Sequence, residues 1–245
     1  KRDLSCARML NQIHRILPLV KQETGVDIRF LAAIRRIPLT LVKDSIVSGN
    51  YLTEAIQALK VVCRDPYVVG SDFVGEEISD IGELKAVIRE IVTGIAKEDP
   101  NWTIRVHAGE NDSLKSNMAK AIALVEESLL PGQKFPYMRI GHGLYCASLK
   151  SRQGKELLEK IRLHDVVLEF QLTSNVRLNN IIDLRTHPLK SYLASGIGCV
   201  MGTDGWGLYG TDSIDEHFQL GELKFLQAKV HSVIQTDSFR LHISS

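Results

Sequence analysis

One short stretch organises the chain, Val106-His107-Ala108-Gly109-Glu110. It closes an apolar run at residues 103–106 and comes just before a stretch of helical periodicity that opens at Ser113. A histidine and a carboxylate three residues apart, at the tip of a strand and beside a flexible glycine, can both face one pocket. The stretch therefore predicts a strand whose C-terminal end carries polar side chains into a site.

Three later stretches repeat this design. Each follows an apolar, strand-like run and precedes a helical one: Arg139-Ile140-Gly141-His142-Gly143, Leu172-Thr173-Ser174-Asn175 and Gly202-Thr203-Asp204. An α/β barrel builds its active site in this way, with polar residues at the C-terminal ends of parallel strands. The repetition predicts a barrel of this kind.

Strand-like and helical stretches alternate along the rest of the chain as well. Predicted strands cover residues 26–34, 67–74, 103–107, 137–141, 166–171 and 198–203. Predicted helices cover residues 4–20, 51–63, 81–96, 113–129, 152–162 and 187–194. Pro18 is expected to interfere with the end of the first helix, and Ser113 is expected to be the N-cap of the fourth. Several strands are continuously apolar, which is typical of strands buried on both faces of a parallel sheet.

The six strand–helix units predict one domain over residues 1–245, yet six strands cannot close the usual eight-stranded barrel. An open parallel sheet would leave two long hydrophobic edges. Because a helix opens the chain at residue 4 without a strand before it, we expect the first strands to be missing, either as part of a longer protein or as omitted segments. The tail after about residue 220 also departs from the alternation. The sequence thus predicts a TIM-type (β/α)8 barrel that is incomplete as it stands.

Composition limits the class of partner. Of the 245 residues, 44% are hydrophobic and 24% charged, and the net charge of +1 indicates neither a nucleic-acid partner nor an acidic membrane. Every apolar stretch is far shorter than the roughly 20 residues that a membrane span needs. The four cysteines lack the CxxC spacing of cysteine-rich zinc and thiol-redox sites. We therefore expect a cytoplasmic protein with reduced thiols and a small-molecule substrate, whose oligomeric state the sequence does not indicate.

Four residues at predicted strand ends carry the chemistry. A neutral imidazole such as His107 ligates a divalent metal well, and a nearby carboxylic acid such as Glu110 can transfer a proton. Taken singly, each has an ordinary interpretation: a surface turn for His107 with Glu110, a hydrogen-bonded core histidine for His142, and an Asx turn for Asp204. However, His107, His142 and Asp204 follow three different predicted strands, and independent turns are not expected to meet at one rim of a barrel.

In their order along the chain, these motifs resemble those of the adenosine and AMP deaminase family of metal-dependent hydrolases, in the amidohydrolase superfamily. The matching stretches are His107-Ala108-Gly109-Glu110, Arg139-Ile140-Gly141-His142-Gly143, Thr173-Ser174-Asn175, His187-Pro188-Leu189 and Thr203-Asp204. Residues 69–77 also look like that family's Gly-x-Asp-Leu-x-Gly-x-Glu strand, and the resemblance covers about residues 26–220. It implies zinc-dependent hydrolytic deamination of an adenine-containing nucleoside or nucleotide, which gives an inosine-type product and ammonia.

The resemblance also implies a role for each residue. His107 and Asp204 would bind one catalytic zinc ion per chain. Glu110 would donate a proton to purine N1, and His142 would orient or deprotonate the attacking water. To serve as the acid, Glu110 must stay protonated, which requires a pocket that raises its pKa. Four residues are substrate-binding candidates: Gly75, whose backbone would meet purine N3, and Asp72, Gly205 and Trp206.

Two departures from the family pattern leave alternatives open. The family takes two further zinc ligands from a His-x-His motif, which this sequence lacks, so we expect those histidines in the missing N-terminal segment. The family usually has a second aspartate that contacts purine N7 where this chain has Gly205, and such a contact contributes about one to a few kcal/mol. The alternatives are a catalytically inactive barrel used for binding or assembly, and a metal-dependent amidohydrolase that acts on another heterocycle.

Overall fold

The computed structural model describes residues 2–36 and 50–222. Within them, six parallel strands form one sheet in the order of the sequence. The strands are β1 (Phe30–Arg35), β2 (Val68–Val74), β3 (Thr103–Ala108), β4 (Tyr137–His142), β5 (Val167–Phe170) and β6 (Cys199–Met201). The parallel α/β sheet is the predicted one, and it does not close into a barrel within the described residues.

Helices connect the strands. They are α1 (Arg2–Thr24), α2 (Asn50–Val62), α3 (Lys85–Glu90), α4 (Ala96–Glu98), α5 (Asn117–Ser128), α6 (Arg152–Leu163), α7 (Leu172–Arg177), α8 (Leu189–Ala194), α9 (Trp206–Tyr209) and α10 (Ser213–Glu222). The helix predicted at residues 81–96 is a composite, because a 3-10 turn precedes α3 and a π-helical segment at Ile91–Ile95 joins α3 to α4.

Two of the differences between predicted and observed helix ends have a clear physical cause. Pro18 lies inside α1, which continues to Thr24, because Leu10 and Leu17 bury one face of the helix and packing holds it together through the proline. The fourth predicted helix begins at Asn117 rather than after Ser113. The Ser113 amide instead donates to the Asn111 side chain in a local turn, which competes with helix formation.

The two faces of the sheet carry different side chains. Apolar residues of one face join the helices in a single hydrophobic cluster that includes Phe73, Ile104, Val106, Ile140 and Leu168. Successive side chains of a strand point to opposite faces of the sheet. The residues that alternate with these apolar ones therefore lie on the other face, and several of them are charged. The register aligns Asp72 with Arg105 and Arg105 with Arg139. Both arginines donate to the buried Glu169, and Arg105 also donates to Asp72.

Candidate metal and active site

Three of the predicted site residues converge at the C-terminal ends of the strands. His107 lies in β3, His142 ends β4 and Asp204 follows β6, and each offers a ligand atom within 4.8 Å of the others. His142 and Asp204 adopt left-handed backbone, with φ of 74° and 55°. Such conformations cost about 1–3 kcal/mol in a non-glycine residue and cluster at functional sites. The structure thus brings together a set of groups that can hold a metal ion.

His142 is held in its neutral form. Its side chain is fully buried, and burial lowers its pKa well below the ordinary value, helped by the charges of His107 and Arg105. Its Nε2 atom has no hydrogen-bond partner among the described residues, although Glu110 Oε1 lies 3.7 Å away. A buried nitrogen left in this way needs a ligand or a water to satisfy it. A neutral imidazole can supply either a metal ligand or a proton acceptor.

The tautomer of His142 depends on Asn175. Asn175 Nδ2 lies 3.4 Å from His142 Nδ1, and Asn175 Oδ1 has no partner among the described residues. When the side-chain amide is rotated by 180° from this orientation, Oδ1 faces the ring and accepts the Nδ1 proton. That arrangement leaves the Nε2 lone pair of His142 facing Glu110 and the site.

Glu110 has the electrostatic surroundings of a proton donor. Burial raises the pKa of its carboxyl, and the nearby charges of Asp204 and Glu77 raise it further, whereas that of His107 opposes them. A carboxyl with a raised pKa keeps its proton at a higher pH than an exposed glutamate does. The side chain lies next to His142, so that an acid and a neutral imidazole face the same space.

Asp72 orients the His107 ring through its Nδ1 atom. His107 Nδ1 lies 3.1 Å from Asp72 Oδ1 and 3.2 Å from the Phe73 carbonyl oxygen, and Arg105 Nη1 lies 3.2 Å from Nε2. The other oxygen of Asp72 accepts a hydrogen bond of 2.5 Å from Arg105. The structure therefore places Asp72, a predicted substrate contact, as a partner of His107. Carboxylates in this position orient a ligand histidine and increase its basicity.

Asp204 is held by α7. Ser174 Oγ donates a hydrogen bond of 2.6 Å to Asp204 Oδ2, while the next residue, Asn175, reaches His142. The Thr173-Ser174-Asn175 motif therefore contacts two of the three clustered groups. His187, from another motif, is buried instead: burial lowers its pKa to about 4, and its ring packs edge-on against Phe170.

The remaining substrate-binding candidates lie at the rim. Gly75 follows β2 with φ of 100°, a left-handed conformation that favours glycine. A Cβ atom at Gly205 would lie 2.7 Å from Tyr209 Cε2, so the tyrosine ring packs directly over this glycine. Trp206 exposes 60% of its surface. These observations describe positions, and the substrate contacts of the three residues stay predictions.

Sequence reasoning missed three charged residues that hold the loops of the site. Arg36 donates to the His107 carbonyl oxygen, and Glu77 and Glu216 each accept two consecutive backbone amides. Glu77 stood within the quoted motif of residues 69–77, but nothing in that motif indicates its partners 32 and 33 residues away. Glu216 carries no local signal, since its partners lie 43 and 44 residues away.

Comparison with known proteins supports the resemblance found in the motifs. A family model described as adenosine deaminase matches residues 1–237. The chain belongs to the adenosine deaminase family. Adenosine deaminase of Escherichia coli O1:K1 is 33% identical over 119 residues, which are 49% of this chain and 31% of that relative. The enzyme of E. coli strain SE11 is 32% identical over the same length.

Solved structures of the family share the fold. Arabidopsis ADAL complexed with IMP superposes with a TM-score of 0.58 at 19% identity, covering 80% of this chain and 47% of that one. Adenine deaminase from Arthrobacter aurescens has a TM-score of 0.61 at 20% identity, covering 88% and 56%. This family member thus spans about half the length of these relatives and has their TIM-type fold. Within the described residues, its helices are too short or too polar to cross a bilayer.

Proposed function

We propose that this deaminase-family protein catalyses zinc-dependent hydrolysis of the exocyclic amine of an adenine-containing nucleoside or nucleotide, with release of ammonia. The observation that carries the proposal is the convergence of His107, His142 and Asp204 within 4.8 Å beside Glu110. An acid with a raised pKa, a neutral imidazole and a metal-binding set are the groups that such a hydrolysis needs.

The residues fit a zinc ion. Imidazole nitrogen and carboxylate oxygen are ordinary zinc ligands, and the unpartnered, buried Nε2 of His142 indicates room for a further group in the cluster. We assign His107 and Asp204 as ligands of one zinc ion per chain. The other two ligands would be the histidines of the family's His-x-His motif, which this sequence lacks. When bound, zinc supplies Lewis acidity, which lowers the pKa of water towards about 7.

The side chains then divide the proton transfers. Glu110 holds a proton and delivers it to the ring nitrogen beside the amine-bearing carbon, which makes that carbon electrophilic. His142 accepts the proton that the attacking water gives up. A carbon–oxygen bond forms, and the amine then takes the proton from His142 and leaves as ammonia as the carbon–nitrogen bond breaks. The hydroxyl left on that carbon gives its proton to Glu110 and becomes the carbonyl of the product, so that Glu110 and His142 both return to their starting forms. Meanwhile Asp72 and Ser174 keep His107 and Asp204 in place.

The names of related structures support the substrate class. They include an Arabidopsis N6-mAMP deaminase, ADAL bound to IMP or GMP, and an adenine deaminase. A second candidate is hydrolysis of an amine on another heterocycle. Gly205 favours it, because Tyr209 covers the place where the family's second aspartate would project. The Tyr209 ring and the exposed Trp206 would then contact the substrate.

Metal content and ammonia release test the proposal together. Full-length protein is assayed for zinc by elemental analysis, for ammonia with adenine, adenosine and AMP, and for methylamine with N6-methyl-AMP. About one zinc ion per chain and release of the exocyclic amine from one or more of these compounds is the expected result. Zinc without amine release from any of them would favour the second candidate. Neither zinc nor turnover in folded, zinc-supplied protein would contradict both and favour a barrel kept for binding or assembly.

A further inference from the structure

The turn that carries Glu110 is held by one buried carboxylate. Glu77, in the loop after β2, accepts the Gly109 amide at 2.9 Å and the Glu110 amide at 2.6 Å, one on each oxygen. Asn117 Nδ2, at the start of α5, donates to the same carboxylate at 2.8 Å. The Glu77 side chain is fully buried. Both of its oxygens are therefore committed to holding this turn and its neighbouring helix.

A second buried carboxylate holds the start of α7. Glu216, in α10, accepts the Leu172 amide at 2.8 Å and the Thr173 amide at 3.2 Å, again with a different oxygen for each shortest contact. Thr211 Oγ1 also donates to it, at 3.1 Å. The next residue after these amides, Ser174, is the one that bonds Asp204. Glu216 thus reaches the clustered groups through α7.

The two carboxylates share one design. Each accepts two consecutive backbone amides at the C-terminal end of a strand, and each comes from a part of the chain more than 30 residues away from that loop. Hydrogen bonds from amides to a carboxylate are stronger than neutral ones, and two parallel bonds also fix the orientation of the loop. Such loops hold groups near the reactive geometry without reorganisation during each turnover.

We propose that Glu77 and Glu216 are positioning residues for the proposed deamination, with separate tasks. Glu77 holds the backbone of Glu110 and thereby places the proton donor. Glu216 holds α7 and thereby places the proposed zinc ligand Asp204 and the proton acceptor His142. The inference rests on the proposed function for its effect on turnover, whereas the loops that it names are held whether or not that function is correct.

The separate tasks predict different kinetic signatures for two isosteric variants. In Glu77→Gln, one acceptor oxygen is replaced by an NH2 group that faces a backbone N–H. We expect kcat to fall about 100-fold, because a displacement near 1 Å costs that much, with KM and zinc affinity within about threefold of the unmodified protein. In Glu216→Gln, we expect zinc affinity to fall about 10-fold or more, because indirect supports of a metal site have effects of that size.

A matched control separates positioning from the general loss of a charge. Glu126 is also a carboxylate with two partners, Lys160 and His164, but it lies on α5 away from the cluster. Glu126→Gln is expected to leave kcat, KM and zinc affinity unchanged. Glu77→Asp and Glu216→Asp keep the charge but shorten the reach, and we expect the same split with smaller losses. If either glutamine variant does not fold, the aspartate variant at the same position is measured in its place.

Hydrogen exchange makes the test independent of turnover. Zinc titration and amide exchange of residues 107–112 and 171–176 are measured on each variant. Faster exchange of the first segment only in the Glu77 variants, and of the second only in the Glu216 variants, is the expected result. Unchanged exchange, or a kcat within about threefold of the unmodified protein for folded Glu77→Gln, would overturn the inference. If the unmodified protein releases no ammonia, the proposed function fails, and exchange with zinc titration still decides the positioning roles.

Discussion

The loop after β3 and the loop after β6 contrast in how firmly they are held. Gly109 and Glu110 directly follow a six-residue strand, and buried Glu77 accepts hydrogen bonds from both of their amides. Residues 202–210 follow a three-residue strand. Three of their backbone amides donate only locally: Trp206 to the Asp204 carbonyl, and Leu208 and Tyr209 to the Gly205 carbonyl. Leu208 in this loop is 85% exposed. The difference indicates that the loop proposed for proton transfer is preorganised, whereas the rim proposed for substrate recognition is more exposed.

The largest expected effect tests the preorganised loop. Glu110→Gln removes the proton but keeps the shape, so we expect kcat to fall about 10²- to 10⁴-fold, the usual contribution of general acid catalysis. Zinc content should stay nearly unchanged, because Glu110 is not among the three clustered donors. The measurements are steady-state kinetics and elemental analysis, with the exposed Glu159→Gln in α6 as control. Full activity of Glu110→Gln would exclude the proton-donor role.

Next in size is a change at the start of the β6 loop. Asp204→Ala removes one of the three clustered donors and the acceptor of the Ser174 hydrogen bond. Zinc affinity and turnover should both fall, each by about 10-fold or more. Zinc titration beside ammonia release would detect this joint loss. Zinc affinity equal to that of the unmodified protein would instead mean that Asp204 is not a ligand.

A smaller effect concerns the pH dependence of kcat. Burial raises the pKa of Glu110, so its protonated form is present below that raised pKa and is lost as the pH rises through it. The pKa of His142 is lowered well below its ordinary value, so this base is already neutral near neutral pH. We therefore expect kcat to fall on the alkaline side, about tenfold per pH unit beyond the Glu110 pKa. Circular dichroism at each pH checks that the fold persists. A kcat that only rises between about pH 5 and pH 9 would contradict the assignment.

The smallest effect on stability is expected at the exposed rim. Trp206→Ala should change KM several-fold, and differently among panel substrates, if the indole contacts them. It should change the free energy of unfolding by no more than about 0.5 kcal/mol, as is usual for exposed positions. Tyr137 is a matched control: it is 64% exposed but begins β4, at the opposite end of the strand from the site. Equal KM changes in Tyr137→Ala and Trp206→Ala would remove the case for recognition by Trp206.

Local pattern predicted the strands because each has its own apolar run. The predicted strands at residues 103–107 and 137–141 each differ from β3 and β4 by one residue at the C-terminal end. The same pattern put His107 and His142 at strand ends, and their convergence followed from parallel order. Helix starts were harder, as Ser113 shows, because side chains such as that of Asn111 compete for the same amides.

The sequence by itself determined the order of the strands, the family, and the residues that meet at the strand ends. These properties depend on periodicity and on motifs that occupy a few adjacent positions. Only the tertiary structure decided that Asp72 supports His107, and that Glu77 and Glu216 hold the two loops. Such partners are far apart in sequence, and a buried carboxylate is satisfied by whichever amides the fold brings to it. No local pattern in the sequence predicts contacts of that kind.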